Sequence, residues 1–156
     1  MLVSTRGRYA LCMLVDLAEH DGDRYIPLCE IAARQQISGK YLECILKCLV
    51  KENILVGCRG KCGGYRLGRP ASEITVADVL RLTEGSLVPV SCMAEDCSPC
   101  PDAASCRTLP MWQRFSELAN DFFDSISIAD LMQPGQAAQH VQLPCSEGKK
   151  DCPAEE

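Results

Sequence analysis

Between Thr5 and Glu19, Ala10, Leu14, Leu17 and Ala18 fall on one stripe that Leu11 and Met13 widen. This spacing predicts a helix. His20-Asp21-Gly22-Asp23 then interrupts the pattern as a turn. Pro27 can open a second, short helix ending near Gln36, with Leu28, Ile31 and Ala32 as its inner face. Ile37-Ser38-Gly39 is a tight connection. Ser38 is a good N-cap for a third helix, whose Leu42, Ile45, Leu46 and Leu49 sit at i, i+3, i+4 and i+7. Two short helices joined in this way match a helix-turn-helix.

Ile54 to Arg59 and Tyr65 to Leu67 are strand-like, and the glycine-rich Gly60-Lys61-Cys62-Gly63-Gly64 turns between them. A hairpin directly after a helix-turn-helix is a wing. Its charges, Arg59, Lys61, Arg66 and Arg69, are all basic, which favours phosphate contact. Thr75-Val76-Ala77-Asp78 is a capping-box variant opening a fourth helix that Gly85 ends. Ser91 to Thr108 reads as a loop, and Pro110 is tolerated in the first turn of the helix after it. There Trp112, Phe115, Ala119, Phe122 and Ile126 alternate spacings of four and three, a heptad seam read as a dimer interface. Folding back onto the same chain is the alternative. Ser127-Ile128-Ala129-Asp130 caps one more short turn ending near Met132. Beyond it, Gln, Pro, Lys and Glu predominate, as in a disordered tail.

The expected fold is therefore mainly α with a small β-hairpin wing: a winged helix-turn-helix domain plus a long C-terminal dimerisation helix. Its segments are a DNA-binding domain over 1–85, a cysteine-rich cofactor loop over 86–108, the dimerisation helix with a short terminal helix over 109–132, and the tail over 133–156.

Charge sharpens this division. Residues 1–70 carry 11 Lys and Arg against 7 Asp and Glu, a net of +4, whereas residues 71–156 carry 5 against 14, a net of −9. A basic first half suits an anion-binding module even though the whole chain is acidic. No apolar run approaches the ~20 residues that span a bilayer, and Met1 to Ala10 lacks the apolar core of a signal peptide. A cytoplasmic protein without membrane contact is expected.

Twelve cysteines in such a compartment favour thiols or metal ligands over disulfides. Cys12 and Cys29 lie among apolar helical positions and read as buried, inert thiols. Buried or incidental roles are also the first reading for Cys44 and Cys48, one turn apart, and for Cys58 and Cys62, which flank the wing; metal binding by either pair is the second. Cys145 and Cys152 fall in the tail. Cys92-x4-Cys97-x2-Cys100-x5-Cys106 is different, with four thiols in 15 residues. Soft ligands at that density suit an iron–sulfur cluster or zinc. Zinc sites more often use two short pairs separated by a longer segment.

Several pieces stand in a characteristic order and spacing: Ser4-Thr5-Arg6-Gly7-Arg8-Tyr9-Ala10, Ile37-Ser38 with Tyr41-Leu42-Glu43, Arg59-Gly60 with Gly63-Gly64-Tyr65, Ile74-Thr75-Val76-Ala77-Asp78-Val79, Glu84-Gly85, and the cysteine segment before Trp112. Together they resemble the IscR/CymR/NsrR family of winged helix-turn-helix transcription regulators, most of all its iron–sulfur cluster type. The resemblance spans about residues 1–132. It implies that the third helix enters the major groove of double-stranded DNA with Ser38, Lys40, Tyr41 and Glu43 near its leading end. Glu43 would accept from cytosine N4 and disfavour other bases; a plain solvent-facing role is the alternative. Tyr9, Arg59 and Gly60 would contact backbone or groove, with Lys61 beside them, and a homodimer would read a pseudo-palindromic operator.

The same resemblance assigns Cys92, Cys100 and Cys106 as cluster ligands. The fourth ligand departs from the pattern. Leu109 occupies the position of one subtype's His, and Arg8 that of another's acidic residue from the partner. Cys97 is the candidate, giving an all-cysteine site. A two-iron two-sulfur cluster is favoured over a four-iron four-sulfur one, with zinc the alternative. An all-thiolate cluster carries more negative charge than one with a His ligand and should have a lower potential.

The function expected is repression or other regulation of transcription in response to iron–sulfur or redox status. A cluster-free regulator of sulfur metabolism governed by a regulatory protein partner is the alternative. A thiol-disulfide enzyme built on Cys97-Ser98-Pro99-Cys100 comes last, because no βαβ pattern surrounds the pair. No Ser/His/Asp set, phosphate loop or paired-carboxylate site is legible, so no enzyme is expected.

Overall fold

The computed structural model describes residues 3–20, 22, 24–60, 62–94, 100, 102–133 and 135. Lys61, Cys97, His140, Cys145 and Cys152 lie outside the described residues, as does the expected disordered tail apart from Gln133 and Gly135.

Helix α1 (Thr5–Glu19) begins at Ser4, whose Oγ accepts from the backbone N–H groups of Arg6 and Gly7 at 3.1 and 3.3 Å. Such a cap satisfies donors that the first turn cannot pair internally. Its inner stripe, Ala10, Met13, Leu14, Leu17 and Ala18, is the floor of the core. Helix α2 (Leu28–Gln35) ends at Gln36 in the left-handed conformation, φ 53°. Of its expected inner face Ile31 is fully buried, while Leu28 and Ala32 are half-buried. Helix α3 (Gly39–Lys51) is capped by the Ser38 hydroxyl, and Leu42, Ile45, Leu46 and Leu49 are all buried.

Strands β1 (Leu55–Cys58) and β2 (Gly64–Leu67) pair antiparallel, Leu55 opposite Leu67 and Cys58 opposite Gly64. Ile26 adds an antiparallel bridge to Tyr65 with hydrogen bonds of 2.9 and 2.8 Å, which anchors the wing to the chain ahead of α2. Gly64 is required there, since a Cβ would run into the backbone of Ile26 and Pro27. Helix α4 (Val76–Glu84) opens with the reciprocal Thr75–Asp78 capping box and stops at Gly85, φ 81°. Helix α5 (Leu109–Asp124) carries Pro110 in its first turn, and the four-residue α6 (Ile128–Leu131) has a Ser127–Asp130 capping box.

Helix α6 packs on α1, with Ile128 fully buried in the main core. It is held there by Val76 N–H to Ile126 O at 2.8 Å and Ile128 N–H to Ile74 O at 2.9 Å. The cysteine loop and α5 thus form an excursion pinned to the core at both ends. A second apolar cluster, Val76, Leu80, Leu87 and Ile126, lies at its root.

Three sequence expectations are corrected. Ile126 lies beyond the end of α5 and is buried in that second cluster, so it is not a seam residue. Cys12 and Cys29 are exposed, because each lies off the buried stripe of its helix. Cys44 is exposed as well, and Cys48 half-buried. The Asp16 carboxylate, 5% exposed, is paired bidentately with Arg34 Nε and Nη2, both 2.8 Å away. This clamps α1 to α2 and raises the Arg34 pKa, chiefly through the Asp16 hydrogen bonds.

Candidate nucleic-acid interface and thiolate loop

Burial of Leu42, Ile45, Leu46 and Leu49 turns the opposite face of α3 to solvent, where Lys40, Tyr41, Glu43, Cys44 and Lys47 are exposed. Across from it stands the wing. A groove of about 540 Å³ runs between them, with Lys47 and Val50 on the helix side and Arg59, Gly57 and Tyr65 on the wing side. Among the described residues, Lys40, Lys47, Lys51 and Arg59 take part in no ion pair. Glu43 likewise has no ion-pair partner there, so it is the single uncompensated carboxylate on a face with three lysines. Gly60, at φ 113°, shapes the wing turn in a conformation that side chains disfavour.

Tyr9 and Tyr41 meet edge to face, centroids 5.9 Å apart, and the Arg8 guanidinium lies 4.8 Å over the Tyr9 ring. The three join the start of α1 to the start of α3. The structure therefore brings Tyr9, Ser38, Lys40, Tyr41, Glu43, Arg59 and Gly60 to neighbouring parts of one surface. It adds Lys47, which the sequence reading did not single out, and places Arg8 beside Tyr9 on the same surface. Lys47 was legible as the i+7 partner of Lys40 on the outer face; Arg8 stood out in the sequence only as part of the Ser4–Ala10 motif and as a substituted ligand position, not as a surface cation. The wing keeps fewer free charges than its composition implied. Arg69 Nη2 is bound to Asp78 at 2.8 Å, and Arg66 stacks on Tyr25, 5.0 Å to the centroid.

In the loop, Cys92 lies exposed in a 3-10 turn, Ser91–Met93. Cys100, Asp102, Ala103 and Cys106 belong to successive turns closed by Ala103 N–H to Cys100 O and Cys106 N–H to Ala103 O. The Cys106 Sγ is 3.4 Å from Thr108 Oγ1. That hydroxyl, helped by the backbone N–H groups of Thr108 and Leu109, pulls the Cys106 thiol below its ordinary range. Three described thiols plus Cys97 are the donor chemistry that iron–sulfur clusters and zinc take. Among the described residues, however, no three Cys, His, Asp or Glu side chains are gathered closely enough to hold a metal ion. By its chemistry the donor set fits such a group.

The start of the loop, through Leu87 and Met93, lines a cleft of about 780 Å³ that Arg81, Glu84 and Asn120 also bound. Arg81 spans it to α5, donating to both Asp124 oxygens at 2.9 and 2.7 Å and to Asn120 Oδ1 at 3.0 Å. On the far side, Glu84 accepts from Ser4 Oγ at 2.7 Å, so the root of the loop touches the cap of α1.

Along α5 only Ser116 is buried. Met111, Phe115 and Leu118 are 55, 45 and 46% exposed, in spacings of four and three. Phe115 thus lies on an open apolar stripe, whereas Trp112 and Ala119 are half-buried and Phe122 packs on the second cluster. Among the described residues no helix is long and apolar enough to cross a membrane.

Residues 3–134 match the Rrf2 family, described as iron-dependent transcriptional regulators. The chain is 34% identical over 132 residues to the HTH-type transcriptional regulator IscR of Serratia proteamaculans, covering 85% of this chain and 79% of that one. The structure of CymR, the global cysteine regulator of B. subtilis, superposes with a TM-score of 0.68 at 31% identity, covering 85% of this chain and 96% of CymR. T. potens IscR gives 0.65 at 31% identity, covering 91 and 93%.

Proposed function

Since this chain belongs to the Rrf2 family of transcriptional regulators, a DNA-binding family and not an enzyme one, we propose that it reads a pseudo-palindromic operator as a homodimer under the control of a thiolate-bound iron–sulfur cluster. The observation that carries the DNA reading is the groove between α3 and the wing, edged by the unpaired cations Lys47 and Arg59. Phosphate contacts of this kind give affinity and set the register, while base edges give sequence choice. Lys40, Tyr41 and Glu43 are placed for the second task and Arg59, Gly60 and Lys61 for the first. Ser38 fixes the end of α3 that enters first. Tyr9 supports Tyr41 from α1.

Dimerisation rests on α5, a 16-residue helix whose one buried residue is Ser116 and whose apolar residues are at best partly covered by its own chain. A helix so thinly packed gains its stability from a partner. The seam is Met111, Phe115 and Leu118, flanked by Trp112, Ala119 and Phe122.

Cys92, Cys97, Cys100 and Cys106 would hold the cluster, which supplies a redox- and iron-sensitive link across the loop when bound. The two-iron form is the first reading. Zinc is the second, favoured by the all-cysteine donor set. The chain's own part is mechanical: gathering these thiols draws on a segment rooted between Glu84, which touches the α1 cap, and α5, which Arg81 ties to α4.

Arg59→Ala should weaken binding to the chain's own promoter DNA and reduce the salt slope of log Kd by about 1; an unchanged slope in fluorescence anisotropy titrations would remove Arg59 from the interface. Anaerobically purified protein should be coloured and contain iron and acid-labile sulfide. Colourless protein holding one zinc per chain would replace the cluster by zinc.

A further inference from the structure

Cys44 and Cys48 are one helical turn apart on α3, Cys44 exposed and Cys48 half-buried. Side chains at i and i+4 are neighbours, with Cβ atoms ~5–6 Å apart. Cys48 Sγ donates to Ile45 O at 2.9 Å. This aims the sulfur back along the helix toward the turn that carries Cys44, the direction in which helical side chains lean. From α1, Arg6 Nη2 donates to the same sulfur at 3.4 Å, and the buried Arg6 Nε has no acceptor among the described residues. One thiol is therefore held in place and the other is open to solvent.

Among the described residues no third Cys, His, Asp or Glu joins the pair. That count excludes the centres that need more than two protein thiolates. Structural zinc takes four protein ligands, and iron–sulfur clusters commonly take four thiolates. A pyramidal centre with one organic substituent needs only two sulfurs, both on one side. We propose that Cys44 and Cys48 form a dithiol site for monosubstituted trivalent arsenicals on the helix that reads DNA. Two S–H bonds and the arsenic–oxygen double bond are exchanged for two arsenic–sulfur bonds. The oxygen leaves as water with both thiol protons, and no oxidation state changes.

Lys40, Cys44, Lys47 and Cys48 lie at i, i+4, i+7 and i+8, one face of α3. A group bridging the two sulfurs adds bulk to that face and displaces Arg6, so arsenical and DNA exclude each other. The exclusion rests on α3 being the reading helix; the chelate does not.

Full-length protein is treated with one equivalent of phenylarsine oxide, and free thiols are alkylated with iodoacetamide in urea, where burial protects neither cysteine. A dithiol then strips the arsenical, and N-ethylmaleimide labels what it freed. Cleavage after Lys47 puts the two cysteines on separate peptides. Both should carry the second label, and Cys44→Ser or Cys48→Ser should abolish protection of the remaining partner. Protection confined to the Cys92–Cys106 thiols, or protection of either cysteine surviving loss of the other, overturns the site. In anisotropy titrations the arsenical should weaken wild-type DNA binding at least about tenfold, ~1.4 kcal/mol. It should leave the affinity of the double variant unaltered. An equal loss in both overturns the exclusion, whereas wild-type protein that binds no DNA without arsenical condemns the DNA reading and leaves the chelate to the labelling.

Discussion

Single residues decide how closely these elements approach. Gly64 is the sharpest case, because a methyl group there meets carbonyl and nitrogen atoms of the Ile26–Pro27 backbone, not the yielding end of a side chain. Gly64→Ala should force the Ile26–Tyr65 bridge apart and cost about 1–3 kcal/mol, the usual scale of overpacking. Thermal melts followed by circular dichroism should fall by several degrees; a midpoint within a degree of wild type would mean the wing is not seated as described. Residue-scale features were unevenly legible. The caps at Ser38, Thr75 and Ser127 could be read because a cap is a local hydrogen bond between residues three apart. The Arg69–Asp78 pair, the Arg6–Cys48 contact and the Tyr9–Tyr41 stack join separate elements, and nothing local in the sequence announces them.

Helices and strands were legible to within a residue or two, since periodicity and punctuation agree. The exception is the seam of α5. Trp112, Phe115, Ala119, Phe122 and Ile126 form a regular heptad on paper, but the helix stops at Asp124 and turns Ile126 into its own core. The open stripe is rotated to Met111, Phe115 and Leu118, because contacts with α4 claim the flank bearing Phe122. Phe115→Glu should therefore place a charge inside the proposed interface, and buried charges without partners are costly. Light scattering should show dimers giving way to monomers. A dimer that survives Phe115→Glu combined with Leu118→Glu would put the interface elsewhere. The cysteine loop was legible as a dense run of thiols between two helices, whereas its shape was not, because irregular backbone carries no periodicity to read.

For the molecule as a whole, the sequence suggested a DNA-binding unit ending at Gly85, with everything after it attached. The packing is more interdependent. Ile126 and Ile128 return to cover Val76, Leu80 and the α1 stripe, and their backbone pairs with residues 74 and 76. A fragment of residues 1–85 should consequently be far more protease-sensitive than the full chain and show reduced cooperative melting; a fragment as resistant as the intact protein would restore the simpler division. The same return sets an order of events during synthesis. When the wing has left the ribosome its core is still open, and it stays open until about residue 131 follows. At ~5–20 residues per second this is a wait of several seconds. Throughout it, the cysteines of the loop emerge before the reading helix has a finished platform. If those thiols take up the proposed cluster, cofactor delivery and folding overlap in time, and a nascent chain starved of metal would meet that shortage before it could engage DNA.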